Sequence, residues 1–309
     1  MRQGLGYNDA GQGGDIIYTL VAIDIDGTLI NTNMKLTVPT RQAIASAREQ
    51  GIMVTLATGR SFHSAKSYAD RLKLDVPLIC ANGALIRHRD GSVLSEVNFH
   101  HETIIPLLAE MQAAGIYIQV YHKGGIYTST KITSLPAWIQ MICDNKFKLN
   151  HLIYSVREFF LSRVRKVSDL TEGIGQGELK IHKIFSAGKP RNLEKFRHRA
   201  AELGLSVDYY PGTKDYMYLE IAPPGISKGW ALHQLAGHLE IAMEEVAAIG
   251  DNLNDRTMIQ AAGLGVVMGN GHSQLKKVAG QVTLSNDQDG VAAAFDHIIL
   301  PAAAAPRAV

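Results

Sequence analysis

Cysteine is scarce in this chain: Cys80 and Cys143 are the two thiols in 309 residues. So few, so far apart, give neither a disulfide framework nor the paired spacing of a zinc site. The 12 histidines, His100-His101 and His182 among them, also lack metal-ligand spacing and read as surface or satisfied core positions. An excess of one charge is missing too, because the net charge is +2. That removes the electrostatic case for nucleic acid or an anionic membrane surface as a partner. No apolar run approaches the ~20 residues that cross a bilayer. Residues 1–15 are Gly-rich and polar, without the apolar stretch of a secretory signal. Their glycines follow no strand, so they are not a dinucleotide-binding loop either. Residues 1–16 read as a loose extension, and the cytoplasm is the default location. What remains is 46% hydrophobic and 19% charged, a soluble globular composition long enough for two domains. No feature specifies an oligomeric state.

Short apolar runs alternate with helical patterns over residues 17–83. Strands at 17–23, 52–57 and 77–81, separated by helices at 39–50 and 61–74, predict parallel βαβ units. From residue 84 the pattern changes. Apolar stretches at 84–88 and 93–97 flank Arg89-Asp90-Gly91-Ser92, a hairpin signal. Strands at 116–121, 126–128, 179–186, 205–209 and 216–222, with helices at 103–114 and 192–203, predict an α+β insert with an antiparallel sheet. Residues 145–177 carry no clear pattern. After Pro223-Pro224-Gly225 the alternation returns, with strands at 246–250 and 264–268 and helices at 227–239, 254–261, 272–279 and 290–299. The expected fold is α/β: a parallel-sheet core from 17–84 and 223–300, split by an α+β domain at 85–222, with a frayed tail at 301–309.

The run Ile17-Tyr18-Thr19-Leu20-Val21-Ala22-Ile23 ends on Asp24-Ile25-Asp26-Gly27-Thr28. In an extended chain residues i and i+2 project alike. Asp24 and Asp26 should then share one volume at the strand's carboxyl end, where open α/β sheets place their ligands. Like charges that close need a cation or a proton between them. Asp-Gly is also an ordinary turn signal. The second strand ends in Ala57-Thr58-Gly59-Arg60, where a hydroxyl, a glycine amide and a helix start suit a phosphate. An isolated Thr-Gly turn is the plainer alternative. Lys228, in Ile226-Ser227-Lys228-Gly229, opens a helix against its macrodipole. Either it is solvated or it faces an anionic site. The strand Val246-Ala247-Ala248-Ile249-Gly250 runs into Asp251-Asn252-Leu253-Asn254-Asp255, and Asp251 would complete an oxygen-rich nest suited to Mg²⁺. Asn254 and Asp255 serve equally as a cap and first-turn acid of the next helix.

The ordered set Asp-x-Asp-Gly-Thr, Thr-Gly-Arg, Ser-Lys-Gly and Gly-Asp-x-x-Asn-Asp, each at a strand-to-helix junction, resembles the haloacid dehalogenase-like superfamily. The match is to its Cof-type phosphatases, which carry a large α+β cap. It covers residues 17–299, with further family-like stretches at Asn82-Gly83-Ala84 and 262–270. The resemblance implies a Rossmann-like core with an inserted cap and hydrolysis of a small phosphorylated metabolite, such as a sugar phosphate or phosphorylated cofactor. By resemblance, Asp24 is the nucleophile and Asp26 the acid/base, while Thr58 and Lys228 stabilise the phosphoryl group. Mg²⁺ is held by Asp24, the Asp26 backbone carbonyl and Asp251, supported by Asn254 and Asp255. Gly59 and Asn82 join Thr58, Lys228 and Asn254 as expected phosphate- or substrate-binding positions. Crowding by Asp24 should raise the pKa of Asp26 toward its acid role. The departures, an N-terminal extension and Arg256-Thr257 after Asp255, remove no catalytic group.

Two rivals stand beside this reading. A phosphomutase of the phosphomannomutase type shares this kind of cap. A non-catalytic phosphoryl sensor shares the acidic cluster, Thr and Lys, but lacks an acid/base at the position of Asp26. The basic residues Arg157, Arg163, Arg165 and Lys166 read as a solvated face.

Overall fold

A computed structural model describes residues 18–129, 149–175, 180–211 and 216–300. The N-terminal extension, the C-terminal tail and Cys143 lie outside them. Strand β1 (Leu20–Ile23) has no exposed residue, as a strand covered on both faces requires. Helix α1 (Val38–Glu49) starts on Thr37, whose hydroxyl accepts the Thr40 amide, and buries Ala43, Ile44 and Ala47. β2 (Met53–Leu56) pairs parallel to β1. Helix α2 (Phe62–Leu72) is capped by Ser61 and ends where Lys73 turns left-handed at φ 55°.

β3 (Leu78–Cys80) departs from the expected run of parallel strands. It meets β2 through a single parallel bridge, Ala57 to Ile79, and pairs antiparallel with β4 (Leu85–Arg87), which pairs with β5 (Val93–Glu96). Pro77 at its entrance brings no amide to extend the ladder. The hairpin at 85–96 therefore continues from β3 as a small sheet of its own.

The insert follows in chain order: α3 (His101–Ala113), β6 (Tyr117–His122), β7 (Gly125–Ser129), α4 (Leu149–Leu161), β8 (Val164–Val167), β9 (Lys183–Gly188), α5 (Pro190–Glu202), β10 (Ser206–Pro211) and β11 (Met217–Ala222). Its strands form one sheet in the order β10-β11-β9-β6-β7-β8. One pairing departs from the antiparallel expectation, since β8 runs parallel to β7. Parallel neighbours need a crossover, and α4, in the stretch without a readable pattern, supplies it. Ile118, Val120, Ile184, Leu219 and Ile221 share a core with residues of α3 and α5.

The chain then returns through α6 (Lys228–His238), β12 (Val246–Gly250), α7 (Arg256–Ala261), β13 (Leu264–Val267), β14 (Gln281–Val282) and α8 (Gly290–Ala294). The core sheet reads β14-β13-β12-β1-β2, parallel throughout. Val21 and Ile23 share one core with Ile44 and Phe295; Leu20 and Ala22 share another with Leu232 and Met258. The chain leaves β1 toward β2 on one side and returns to β12 on the other. That switch point, at the strands' carboxyl ends, is where such sheets open a crevice. Among the described residues no helix is long and apolar enough to cross a membrane.

Candidate active site

β1 stops where its apolar side chains stop. Asp24 continues the ladder, its amide donating to the Ile249 carbonyl at 3.0 Å, and the residue is buried. The chain then turns, and the Leu29 and Ile30 amides donate back to the carbonyls of Asp24 and Ile25 at 3.2 and 3.1 Å. Gly27 sits in this turn at φ +80°, where an added Cβ would lie 2.3 Å from Asp251 Oδ2. Backbone conformation and carboxylate approach both demand glycine there. The Thr28 hydroxyl donates to Asp251 Oδ1 at 2.8 Å.

β12, beside β1, delivers Asp251, and the turn Leu253–Asp255 follows. Asp255 Oδ2 accepts the amides of Asp251 and Asn252 at 2.9 and 3.0 Å, which folds this carboxylate back over the strand end. Its Oδ1 lies 2.6 Å from Lys228 Nζ, which also donates to Asp24 Oδ1 at 2.6 Å. Lys228 is the first residue of α6, which Ser227 caps by accepting the Trp230 amide at 3.1 Å. A lysine there opposes the helix dipole; two buried carboxylates compensate it.

Burial is the largest influence on Asp24 and drives its carboxyl well above the usual range, with Lys228 opposing and Asp255 and Asp251 reinforcing. Burial and Asp255 push Asp251 up to about 7. Burial works against the Lys228 ammonium, but Asp24 and Asp255 outweigh it and hold the proton. One oxygen from each of Asp24, Asp251 and Asp255 lies within 4.8 Å of the others. Three carboxylates share one lysine, and the excess negative charge is what a divalent cation would neutralise. An oxygen-only donor set suits a hard cation such as Mg²⁺. The residues present fit such an ion.

Asp26 behaves differently from expectation. Its side chain is 56% exposed, and Arg60 Nε donates to its Oδ2 at 2.6 Å while Nη2 donates to Oδ1. Desolvation in the cleft pushes its carboxyl up, but the charge and hydrogen bonds of Arg60 outweigh that and hold it below the usual range. The expected upward shift from Asp24 is therefore overturned. The chain leaves the extended form at Ile25, so the i, i+2 rule no longer applies, and a guanidinium meets Asp26 instead. Arg60 also pairs with Glu158 Oε2 at 2.8 Å and contacts the Tyr154 hydroxyl. Both partners come from α4. The guanidinium lies 5.3 and 5.4 Å from the ring centres of Tyr68 and Tyr154.

Thr58 is buried, and its hydroxyl accepts the Arg60 amide at 3.2 Å. A Cβ on Gly59 would lie 2.8 Å from Asn82 Oδ1 and 3.0 Å from Lys183 Nζ, so only glycine lets the insert approach this loop so closely. Asn82 is buried in a left-handed conformation at φ 55°. Its amide donates to Glu220 Oε2 at 2.5 Å and its oxygen accepts from Asn254 at 3.4 Å. Beside these groups lies a pocket of about 180 Å³, which Thr58 and Asn82 do not themselves line. Asp24, Asp26, Gly59, Arg60, Asn252 and Asn254 form its core side, and Tyr121, Lys183, Tyr210 and Glu220 its insert side.

Sequence reasoning passed over Arg60, Lys183 and Glu220. The signal was clearest for Glu220, a lone acid between Leu219 and Ile221; Lys183, followed by Ile184 and Phe185, shares its expected strand with Lys180. A charge kept inside an apolar strand needs a partner. His182 is fully buried, and burial lowers its pKa to about 4, which keeps it neutral. Arg157, Arg163, Arg165 and Lys166 are all exposed.

Residues 21–295 match the family described as haloacid dehalogenase-like hydrolase. Phosphatase YwpJ of Bacillus subtilis is 31% identical over 298 residues, covering 91% of this chain and 99% of that protein. The 5-amino-6-(5-phospho-D-ribitylamino)uracil phosphatase YcsE of the same organism is 31% identical over 291 residues, covering 93% and 98%. Among solved structures, a haloacid dehalogenase-like hydrolase from B. subtilis superposes with a TM-score of 0.79 at 28% identity, over 91% of this chain and 99% of that one. Parallel core, strand-end carboxylates, buried lysine and full-length relatives agree: the chain belongs to the haloacid dehalogenase-like hydrolases, among the Cof-type phosphatases its motifs resemble.

Proposed function

We propose that the protein hydrolyses the phosphate monoester of a small metabolite, with Asp24 as nucleophile and Mg²⁺ as cofactor. The observation that carries this is the Lys228 ammonium, 2.6 Å from both Asp24 and Asp255 at the carboxyl ends of adjacent parallel strands. It fixes a carboxylate oxygen at the crevice and places positive charge where a phosphoryl group would lie. An Asp24 oxygen attacks phosphorus while the ester P–O bond breaks, leaving an aspartyl-phosphate and an alkoxide that takes a proton from Asp26. Water then attacks the same phosphorus, giving its proton to Asp26 and restoring the Asp24 carboxylate. Lys228, the Thr58 hydroxyl and the Gly59 amide face the charge that builds on the phosphoryl oxygens. Asp24, Asp251 and the Asp26 carbonyl would hold Mg²⁺, with Asp255 and Asn254 supporting. When bound, the ion neutralises the phosphoryl oxygens and keeps these carboxylates ionised at neutral pH. Arg60 keeps Asp26 ionised in the arrangement described above, so Asp26 must release this guanidinium before it can donate a proton.

Residues 17–84 and 223–300 are taken as the catalytic core and 85–222 as its cap. The separate sheet and hydrophobic core of the insert support that division from α3 onward, whereas the β4–β5 hairpin pairs with β3 and packs Leu85 and Ile86 into the core. The substrate for which YcsE is named, a phosphorylated ribitylamino-uracil, supports a small phosphorylated metabolite as the ligand. Release of free phosphate without an isomerised product tests hydrolysis against phosphoryl return, as a mutase would require.

Activity is expected to vanish in EDTA and to return with Mg²⁺. Ca²⁺ should support it poorly, because its larger and looser shell misaligns nucleophile and phosphorus. Full turnover by a metal-free preparation would remove Asp251 from a metal-binding role. Asp26→Asn is expected to lower kcat by about 10²–10⁴, the usual worth of a positioned proton donor. In the phosphorylation step the loss should shrink for aryl phosphates, whose leaving groups need no proton. A loss independent of leaving-group pKa, with phosphorylation limiting the rate, would rule out the acid role.

A further inference from the structure

The insert turns one face of its sheet toward the catalytic carboxylates. Register sets Tyr121 of β6 opposite Lys183 of β9, and Asp208 of β10 opposite Glu220 of β11. Lys183 is 1% exposed. Its ammonium donates to Glu220 Oε1 at 2.5 Å and to the Gly59 carbonyl at 2.9 Å, and stands 4.9 Å from the centre of the Tyr121 ring. Two hydrogen bonds and an aromatic face use the three N–H directions of an ammonium. Arg60 pairs with Glu158 as well as with Asp26, so it stays matched to a carboxylate when Asp26 releases it, and Lys228 is held by Asp24 and Asp255. Among the described residues at the pocket, every cation is already matched to a carboxylate. Asp208, opposite Glu220, brings one further carboxylate to the roof.

Resting on the phosphatase reading above, we infer that the cap discriminates against a second anionic group on the leaving side, through Glu220 and Asp208, and so favours leaving groups that carry only hydroxyl or amine substituents. Lys228 and the bound cation serve the phosphate that reacts. A carboxylate or second phosphate would enter a half-enclosed space beside Glu220 and Asp208, with no free cation among the described residues, and like charges that close repel. The roof already strains under its own charge: burial, then Glu220, pushes the Asp208 carboxyl up to about 6. Hydroxyl and amine groups can instead donate to these carboxylates. The rings of Phe185, Tyr218 and Tyr210, with centres 5.5 and 5.8 Å apart in succession, offer an apolar wall to the C–H face of a polyhydroxy chain.

The test is kcat/KM of the full-length protein with Mg²⁺ on substrates matched at the reacting carbon. Sorbitol 6-phosphate and 6-phosphogluconate differ in one carboxylate, and fructose 6-phosphate and fructose 1,6-bisphosphate differ in one phosphate. The neutral member of each pair is expected to win by at least about tenfold, and Asp208→Asn to narrow the sorbitol-to-gluconate ratio at least about threefold, as loss of one nearby charge should. Glucosamine 6-phosphate should match or exceed glucose 6-phosphate. A gluconate or bisphosphate substrate that equals its neutral partner, while p-nitrophenyl phosphate is hydrolysed, would overturn the inference and leave the phosphatase reading standing. Inertness toward p-nitrophenyl phosphate and every ester would bring down both.

Discussion

Asp24→Asn should abolish turnover, with kcat falling on the order of 10⁴-fold or more, as removal of a nucleophile does elsewhere. The amide keeps the shape of the side chain but can neither attack phosphorus nor supply a full charge to a metal. The fold should survive, because Lys228 retains Asp255 at 2.6 Å. Stability should shift in a defined direction. A carboxyl whose folded pKa lies above its unfolded value binds its proton more tightly when folded, so ionising it costs stability as pH rises. Asp24 is raised well above the usual range and Asp251 to about 7. In EDTA the native protein should therefore lose stability from the ordinary carboxylate range up to neutral pH. Asp24→Asn should lose less. Melting curves of both proteins across that range check the sign, and a well-folded variant with normal phosphate release is incompatible with the mechanism.

Lys228→Met is expected to have the largest effect on stability. Lys228 is 1% exposed and counters two buried carboxylates. Removing one partner of a buried pair leaves an uncompensated charge, at a cost of about 3–5 kcal/mol. For a protein of this size that is a Tm loss on the order of 10 °C. Saturating Mg²⁺ should restore part of the stability, since a cation relieves the same repulsion. It should not restore activity, because the phosphoryl group still lacks its ammonium, a loss of about 10²–10³ in kcat. Thermal melting in EDTA and in Mg²⁺, beside initial rates, separates the two effects. An unchanged Tm in EDTA would mean that Lys228 is not the counter-ion of Asp24 and Asp255.

The parts of this site that the chain announces are those set by local pattern. Asp24 and Asp251 each follow an apolar strand, and strand ends gather where parallel strands end together. Lys228 stood out because it opens a helix against the dipole. The capture of Asp26 by Arg60 was hidden, because a turn at Ile25 redirects a side chain that strand periodicity would aim inward. Lys183 and Glu220 lie 37 residues apart and meet through strand register, which no local pattern reveals. The same holds for Tyr154 and Glu158, which sit on a helix without a readable signal and reach Arg60 only through tertiary packing. The parallel β8 was missed for a related reason, since strand direction depends on where the crossover carries the chain.

The most direct test of the central claim is where the phosphoryl group goes. Enzyme mixed with Mg²⁺ and an aryl phosphate, quenched in acid within one turnover and digested, is read by mass spectrometry. The Asp26→Asn protein serves best, because loss of the base should slow release of the intermediate while a good leaving group spares its formation. The peptide holding Asp24 should carry one added phosphoryl group, lost on treatment with hydroxylamine and absent from Asp24→Asn. A phosphoryl group on a different residue, or none on the protein during rapid turnover, would contradict Asp24 as the nucleophile.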